Sequence, residues 1–378
     1  MIVGIDARPL LTTPRTGVGE FTYELLSNLF KKNTGHQFIL FANAFQSEQS
    51  LPFCEYSNVQ WVTTRMPNKF FHLSIFLFGY PHLDVYVAKR AGVKQIDTWY
   101  SPNLHFTSLS KKVKHILTVH DLSFHHYPSF FSTKGRMWHK VVKPKKQITN
   151  ADIIFTPSHH TARDVASVYG VTEKKVHTLY PGACSHLMSK QKHTVEHVKE
   201  KYDLPDSFLL YLGTLEPRKN IDGILDAYNR SSYLKKKMQI IFAGAPGYRG
   251  ERYKKMIAQT EGARYIGYVD ELDKYGLYTM SHAFVYPSLY EGFGLPVLEA
   301  ISCGTPVVVS HRTSLPEVAG DVGILVNPYN VSELQKNMEN IVHDKHLYSR
   351  MKEQAHIQSV KFSWDLAVGS FIEQLDKL

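Results

Sequence analysis

Short apolar runs alternate with longer stretches whose apolar positions recur at helical spacing, from one end of the chain to the other. That alternation predicts an α/β chain of parallel sheets joined by crossover helices. In the first half strands are expected near Ile2–Asp6, Phe38–Ala42, Val59–Thr63, Thr98–Ser101, His115–Val119, Ile153–Pro157 and Val176–Tyr180, with helices near Val18–Lys32 and His159–Tyr169. In the second half strands are expected near Phe208–Gly213, Gln239–Ala243, Tyr265–Gly267, Ala283–Pro287, Val307–Ser310 and Gly323–Val326. Helices are expected there near Asn220–Asn229, Gly250–Gln259, Leu272–Met280, Leu295–Ser302 and Val331–His343.

Two stretches, Ile153–Ser158 and Ala283–Ser288, are each an apolar strand ending in Pro-Ser before a helix, which suggests two similar halves. A polar, His- and Lys-rich stretch from about Gly182 to Asp206 reads as their connection. The expected organisation is a first Rossmann-like domain over 1–182, a linker over 183–206 and a second Rossmann-like domain over 207–360. A last helix, Trp364–Leu378 within 361–378, is expected to pack back on the first domain. Open α/β sheets bind ligands at the carboxyl ends of their strands, so the cleft between the halves is the expected site.

At 378 residues, 43% of them hydrophobic, the chain can build two cores. Cys54, Cys184 and Cys303 are odd in number and widely spaced, which fits reduced thiols. The chain opens on a strand-like Met-Ile-Val-Gly-Ile-Asp, so no secretory leader is expected, and no run of ~18 apolar residues predicts a membrane-crossing helix. The net charge of +10 includes basic clusters at Lys111–Lys114, Lys143–Lys146 and Lys235–Lys237. No nucleic-acid-binding motif accompanies it, which leaves phosphorylated substrates, an anionic membrane surface or a plain solvated face.

The chemistry concentrates in residues 288–306. Seven residues separate Glu291 from Glu299, beginning Gly292, Phe293, Gly294, Leu295 and Pro296. The glycines allow a ligand close to the backbone, the proline suits a first helical turn, and a helix N-terminus favours an anion. Carboxylates on either side could accept hydrogen bonds from sugar or ribose hydroxyls. Arg218 and Lys219, in Gly213-Thr-Leu-Glu-Pro-Arg-Lys-Asn220 after a strand, would point two positive charges into the cleft and stabilise a leaving diphosphate. Gly17 and Gly19 form a small glycine loop before the first helix without the third glycine of the dinucleotide fingerprint. His120 and Asp121 close a first-half strand, where His120 could bond a sugar hydroxyl and Asp121 orient it. Phe70–Tyr80 reads either as a membrane-dipping helix or as a buried helix of the first domain, and burial is the favoured expectation. There is no Asp-x-Asp for a metal-bridged diphosphate, no P-loop, no Gly-x-Ser-x-Gly and no His-Glu-x-x-His.

Together, Glu291–Glu299 with its Gly-Phe-Gly-Leu-Pro interior, Glu216-Pro-Arg-Lys-Asn220, Gly17-Val-Gly19 and His120-Asp121 resemble family 4 of the retaining glycosyltransferases. The opening Gly4-Ile-Asp-Ala-Arg-Pro-Leu10 and Thr16-Gly-Val-Gly-Glu-Phe-Thr22 are similar to bacterial mannosyltransferases of polysaccharide and O-antigen assembly. Glu20 departs from the basic or neutral residue that many relatives carry after the second glycine. The resemblance implies a GT-B fold, two Rossmann-like domains with parallel sheets facing across a cleft. It implies metal-independent, retaining transfer of a hexose, with mannose from GDP-mannose favoured, to a glycan or lipid-linked acceptor, and no cofactor. Arg218 and Lys219 would bind the diphosphate, Glu299 the ribose, Tyr268 and Val269 the base, and Glu291 with the backbone of Gly292–Leu295 the donor sugar. Gly17 and Gly244 would line the donor site, His120 would touch the donor sugar, and Gly19 and Asp121 would lie on the acceptor side. The protein is expected in the cytoplasm, peripheral at the inner membrane face. A nucleotide-sugar epimerase or phosphorylase on the same fold, or a non-catalytic nucleotide-sugar-binding protein, are the alternatives.

Overall fold

The structure, a computed structural model, describes residues 1–12, 15–32, 34–43, 51–183 and 193–378. Cys184 and residues 184–192 of the expected linker lie outside the described residues. The rest divides into two compact units. One comprises Met1–Leu122, Thr133–Pro181 and Trp364–Leu378, and the other Ser123–Ser132 and Gly182–Ser363.

The first unit is built on a parallel sheet of β1 (Ile2–Asp6), β2 (Gln37–Asn43), β3 (Val59–Thr64), β4 (Thr98–Ser101), β5 (Lys114–Thr118), β6 (Ile153–Thr156) and β7 (Val176–Thr178). Its order among the described residues is β3-β2-β1-β4-β5-β6-β7. The chain winds outward in both directions from β1, so the order reverses between β1 and β4, where Ile5 pairs with Leu40 on one side and Tyr100 on the other. Phe38–Ala42 of β2 and Ile153–Phe155 of β6 are apolar without alternation because both faces are covered. Phe38, Leu40 and Ala42 join one core with Leu25, Leu29, Val368 and Phe371, while Ile39 and Phe41 join another with Phe71, Ile75 and Val87. The C-terminal helix, Trp364–Leu375, therefore belongs to the first unit. Its Phe371 ring lies 4.9 Å from Tyr100 and 5.3 Å from Phe155.

One expectation fails here. Asn68–Phe78 is a helix, but only Phe71 and Ile75 are buried. Phe70, Leu73, Leu77, Phe78 and Tyr80 face outward, Phe70 at 72% and Phe78 at 79% exposure. Residues 71 and 75 sit one turn apart and use up the inward face, so the remaining apolar positions have no core to enter.

The second unit carries β8 (Phe208–Leu212), β9 (Gln239–Ala243), β10 (Ala263–Tyr265), β11 (Ala283–Tyr286), β12 (Val307–Ser310) and β13 (Gly323–Val326) in the order β10-β9-β8-β11-β12-β13. Here the order reverses between β8 and β11, which pair through Leu209–Ala283 and Leu210–Phe284. The loops leaving these two strands run side by side at the carboxyl edge, where open α/β sheets bind ligands. Val195–Tyr202, inside the stretch read as a connection, is a helix of this unit, capped by the Thr194 side chain.

Close backbone approach explains one glycine at this edge. Gly244 has φ +130°, and a Cβ there would lie 2.1 Å from the Gly213 carbonyl oxygen. The Gly244 N–H also donates to the Gly267 carbonyl at 2.7 Å, tying the ends of β8, β9 and β10 together. Gly244→Ala combines strain with a backbone clash, and should destabilise by about 2–4 kcal/mol. Urea unfolding at neutral pH measures it, and a midpoint equal to wild type would refute the assignment.

Candidate functional site

The loops after β8 and β11 meet at the reversal in the second sheet. After β8, a short turn, Pro217–Lys219, ends in Asn220 with φ +58°, a left-handed conformation asparagine tolerates. The Asn220 side-chain amide donates to the carbonyls of Pro287 (3.2 Å) and Pro328 (2.7 Å), and the Leu289 N–H donates to the Arg218 carbonyl at 2.9 Å. The two loops are thus joined by neutral hydrogen bonds, from the Asn220 amide and the Leu289 N–H, before any charge is considered.

Charge then draws them closer. Arg218 donates from one terminal nitrogen to Glu291 Oε2 (2.9 Å) and to the Tyr290 carbonyl (2.9 Å), and from the other to Glu216 Oε1 (2.9 Å). Lys219 Nζ donates to Glu291 Oε1 at 2.6 Å and to the Tyr286 hydroxyl. Burial alone would raise the Glu291 carboxyl, but Arg218 first and Lys219 next overcome it and hold the group at about 2. Burial and the neighbouring Arg218 charge move Lys219 the other way, downward, with Glu291 opposing them. Arg218 and Lys219 are therefore not two free charges in a cleft, as their adjacency suggests. They are balanced by Glu216 and Glu291. Lys219 is the more buried of the two, at 8% side-chain exposure against 18% for Arg218.

The glycine segment is pinned from its far side. Glu291 N–H donates to the Thr313 hydroxyl at 3.1 Å, and the Ser314 hydroxyl donates to the carbonyls of Glu291 (3.0 Å) and Phe293 (2.8 Å). Thr313 and Ser314 follow β12, and their place after a strand end is the one signal in the sequence that marks them. Gly294 caps the helix Leu295–Ser302 with φ +108°, and a Cβ there would meet Leu315 Cδ2 at 2.6 Å. Gly292, Phe293 and Leu295 lie in the same segment, the first two buried. Glu299 is buried on that helix with partners of its own. The Tyr278 hydroxyl donates to Oε2 at 2.8 Å, and Lys274 Nζ lies 3.5 Å from Oε1. Lys274 and Tyr278 went unnoticed in the sequence because they lie on another helix. Tyr268 is exposed and Val269 buried, just beyond β10.

The expected first-unit residues stand apart from this ion cluster in the chain's division. Gly19 packs closely, since a Cβ would sit 2.8 Å from the Pro9 carbonyl oxygen, whereas a Cβ on Gly17 would meet nothing within 4 Å. Gly17 therefore starts the helix Gly17–Phe30 on an open side, with Thr16 as its cap. His120 follows β5, its ring edge against Phe21 at 4.9 Å. Its Nε2 lies 2.8 Å from the Pro102 carbonyl, so Nε2 carries the proton and Nδ1 remains as an acceptor. Burial lowers its pKa, so the ring is neutral at pH 7. A hydrogen bond between this ring and a sugar hydroxyl would therefore use Nδ1 as the acceptor. Asp121 follows it directly at the end of the first unit's main segment.

One group has metal-ligand geometry among the described residues, His193, His197 and Asp273, with ligand atoms within 4.8 Å of one another. Asp273 is already bonded to His193 (2.5 Å), Lys201 (2.7 Å) and the Tyr202 hydroxyl (2.7 Å). The Lys201 ammonium and the Tyr202 hydroxyl both donate to Oδ2, and Oδ1 faces His193.

Comparison with known proteins bears on the whole chain. Residues 15–184 match the model of Glycosyltransferase Family 4 and residues 193–358 that of Glycosyl transferases group 1. The chain is 31% identical over 272 residues to O-antigen chain mannosyltransferase B of Escherichia coli, covering 71% of each. It is 32% identical over 243 residues to the serotype-specific mannosyltransferase WbdA of the same species, where it spans 61% of this chain but 29% of that protein. The fold is shared with sucrose-phosphate synthase from Thermosynechococcus elongatus at TM-score 0.74 and 18% identity, covering 100% of this chain and 99% of that one. It is shared also with Anabaena HepE, solved with UDP and glucose, at TM-score 0.71 and 17% identity, covering 100% and 99%.

Proposed function

The chain belongs to the family 4 glycosyltransferases, with the GT-B fold, and on that premise we propose that it transfers mannose from GDP-mannose to a lipid-linked glycan, without a metal and with retention at the anomeric carbon. The observation that carries the reading is the convergence of Arg218 and Lys219 on Glu291 at the reversal point of the second sheet. Arg218, Lys219 and the helix start at Gly294 are assigned to the diphosphate, Glu299 to the ribose and Tyr268 and Val269 to the base. Gly244 is assigned to the floor of that site. In the first unit, Gly17 and His120 are assigned to the donor and Gly19 and Asp121 to the acceptor side.

The chemistry follows from charge and occupancy. Glu291, held at about 2, is a carboxylate at neutral pH and accepts hydrogen bonds from the sugar rather than donating a proton. Both of its oxygens are engaged by cations, at 2.6 and 2.9 Å, which makes it a poor nucleophile for a covalent intermediate. That supports front-face displacement. The acceptor oxygen bonds to the anomeric carbon on the face the diphosphate leaves, the bonding pair departs with the phosphate oxygen, and that oxygen takes the acceptor's proton. Arg218 and Lys219 stabilise the charge that grows on the leaving group. The family resemblance to mannosyltransferases supports mannose, and the net charge of +10 suits an anionic, lipid-borne acceptor at the inner face of a membrane.

A thermal-shift screen over nucleoside diphosphates and their sugars tests the donor. GDP and GDP-mannose at 100 times their dissociation constant should stabilise by about 2.7 kcal/mol, with uridine and adenosine analogues well below. Proton NMR of the product formed in EDTA should show the anomer of the donor. An inverted product, or activity that needs an added divalent ion, would overturn the mechanism.

A further inference from the structure

We infer that the outward face of the helix Asn68–Phe78, continued by Tyr80, is a docking surface for an anionic phospholipid bilayer. The inference rests on the proposed lipid-borne acceptor for its purpose, and on its own residues for the surface. Phe70, Leu73 and Leu77 fall at i, i+3 and i+7 and form an exposed stripe, with Phe78 beside it. The opposite stripe, Phe71 and Ile75, already sits in the core of the first unit. A helix facing water would carry charge on its outer face, but the only charged side chain in this one is Lys69.

The surface is built, not a loose flap. Asn43 donates to Asn68 Oδ1 at 2.6 Å and to the Met66 carbonyl at 2.8 Å, fixing the helix start. Ser74 donates to the Tyr80 carbonyl at 2.6 Å and Ser108 to the Gly79 carbonyl at 2.5 Å, fixing its end. A helix of 11 residues spans about 16 Å, too short to cross a bilayer but enough to lie along its interface. Among the described residues, no helix is long and apolar enough to cross.

The surrounding charge selects the occupant. Lys143 Nζ bonds the Phe76 carbonyl at 3.3 Å and lies 4.6 Å from its ring centroid, on the flank of the stripe. The neighbouring helix Thr133–Val141 reaches the same core through Trp138, whose ring is 6.0 Å from His105, itself 5.3 Å from His72. That helix exposes Met137 among Lys134, Arg136 and Lys140, and Lys145 and Lys146 follow. Neither residues 65–80 nor 133–146 contain one Asp or Glu. An apolar stripe flanked by Lys143 and by the basic residues of the neighbouring helix matches anionic headgroups over an acyl layer. It disfavours a second copy of this chain, because a two-fold interface would set like charges against each other.

The full chain is sedimented with vesicles of phosphatidylcholine alone or mixed with phosphatidylglycerol, with no sugar nucleotide present. Binding should require phosphatidylglycerol and weaken at high salt. The Phe70→Ser/Leu77→Ser variant should partition about 10-fold or more weakly while melting like wild type. Lys134→Gln/Lys140→Gln, which leaves the stripe intact, should also weaken binding to the charged vesicles. The inference is overturned if wild type ignores charged vesicles, or if both variants bind them as wild type does. It is overturned equally if sedimentation velocity shows a dimer that Phe70→Ser/Leu77→Ser dissolves. Because the readout contains no donor, loss of the transferase reading would leave this result standing, and vesicle binding cannot rescue a failed transferase assay.

Discussion

Arg218→Ala should lower kcat/KM for the true donor by about 10²- to 10³-fold, with most of the loss in kcat. Of the two cations on Glu291, Arg218 is the more exposed and the one whose planar, delocalised charge suits a phosphate. Arg218→Lys should recover little, because a point charge cannot bond Glu216, Tyr290 and Glu291 at once as the guanidinium does. Lys219→Ala should lose a comparable factor by a different route. It frees Glu291 Oε1 and leaves the carboxylate aimed by Arg218 alone. Since both cations act through one carboxylate, the double variant should lose clearly less than the product of the single losses. Steady-state kinetics on the four proteins, each first checked for wild-type folding, measures this. Independent, multiplicative losses would mean that the cluster does not act as a unit, and near-wild-type turnover by Arg218→Ala would remove it from the reaction.

The parts of this cluster were legible to different degrees. Gly294 and Pro296 announce the helix start because left-handed backbone and a first-turn proline have few other uses. The β-strands were legible for a similar local reason. Each is an apolar run, and the structure moves their ends by two residues at most. What the sequence does not carry is direction. The partners Arg218 and Glu291 lie 73 residues apart, and only the reversal between β8 and β11 sets them side by side. Hence the adjacency of two basic residues does not show that Glu216 and Glu291 balance them. Phe70–Tyr80 misled for the opposite reason. It is apolar nearly all round, so its periodicity cannot say which stripe faces the core. The helix Lys345–Ser359 escaped notice because it is mostly polar and buries only Met351, Ala355, Gln358 and Ser359. Lys274, Thr313 and Ser314 had no motif at all, and only the folded backbone gives them a role.

Glu291→Gln should be the costliest single change in the second unit. The amide keeps the shape but leaves two cations facing a group with no charge, one of them on a side chain that is almost fully buried. Removing one partner of a buried ion pair typically costs about 3–5 kcal/mol, so the urea midpoint at neutral pH should fall accordingly. The pH dependence separates this from a packing defect. A carboxyl lowered from 4.5 to about 2 by folding adds stability above the unfolded value, and that stability is lost as pH falls from about 4.5 toward about 2. The group's share is about 3 kcal/mol. Wild type should therefore weaken over that acidic window, while Glu291→Gln, already without the carboxylate, should be flatter there by about that amount, so the two curves converge at low pH. Lys219 reinforces the contrast. Burial already presses its pKa down, and without Glu291 the pressure grows, so the variant should regain stability as pH rises far enough to discharge the amine. Curves that stay parallel from neutral pH to the acid limit would mean that Glu291 is not held by its cations, and would remove the electrostatic basis for its place beside the donor sugar.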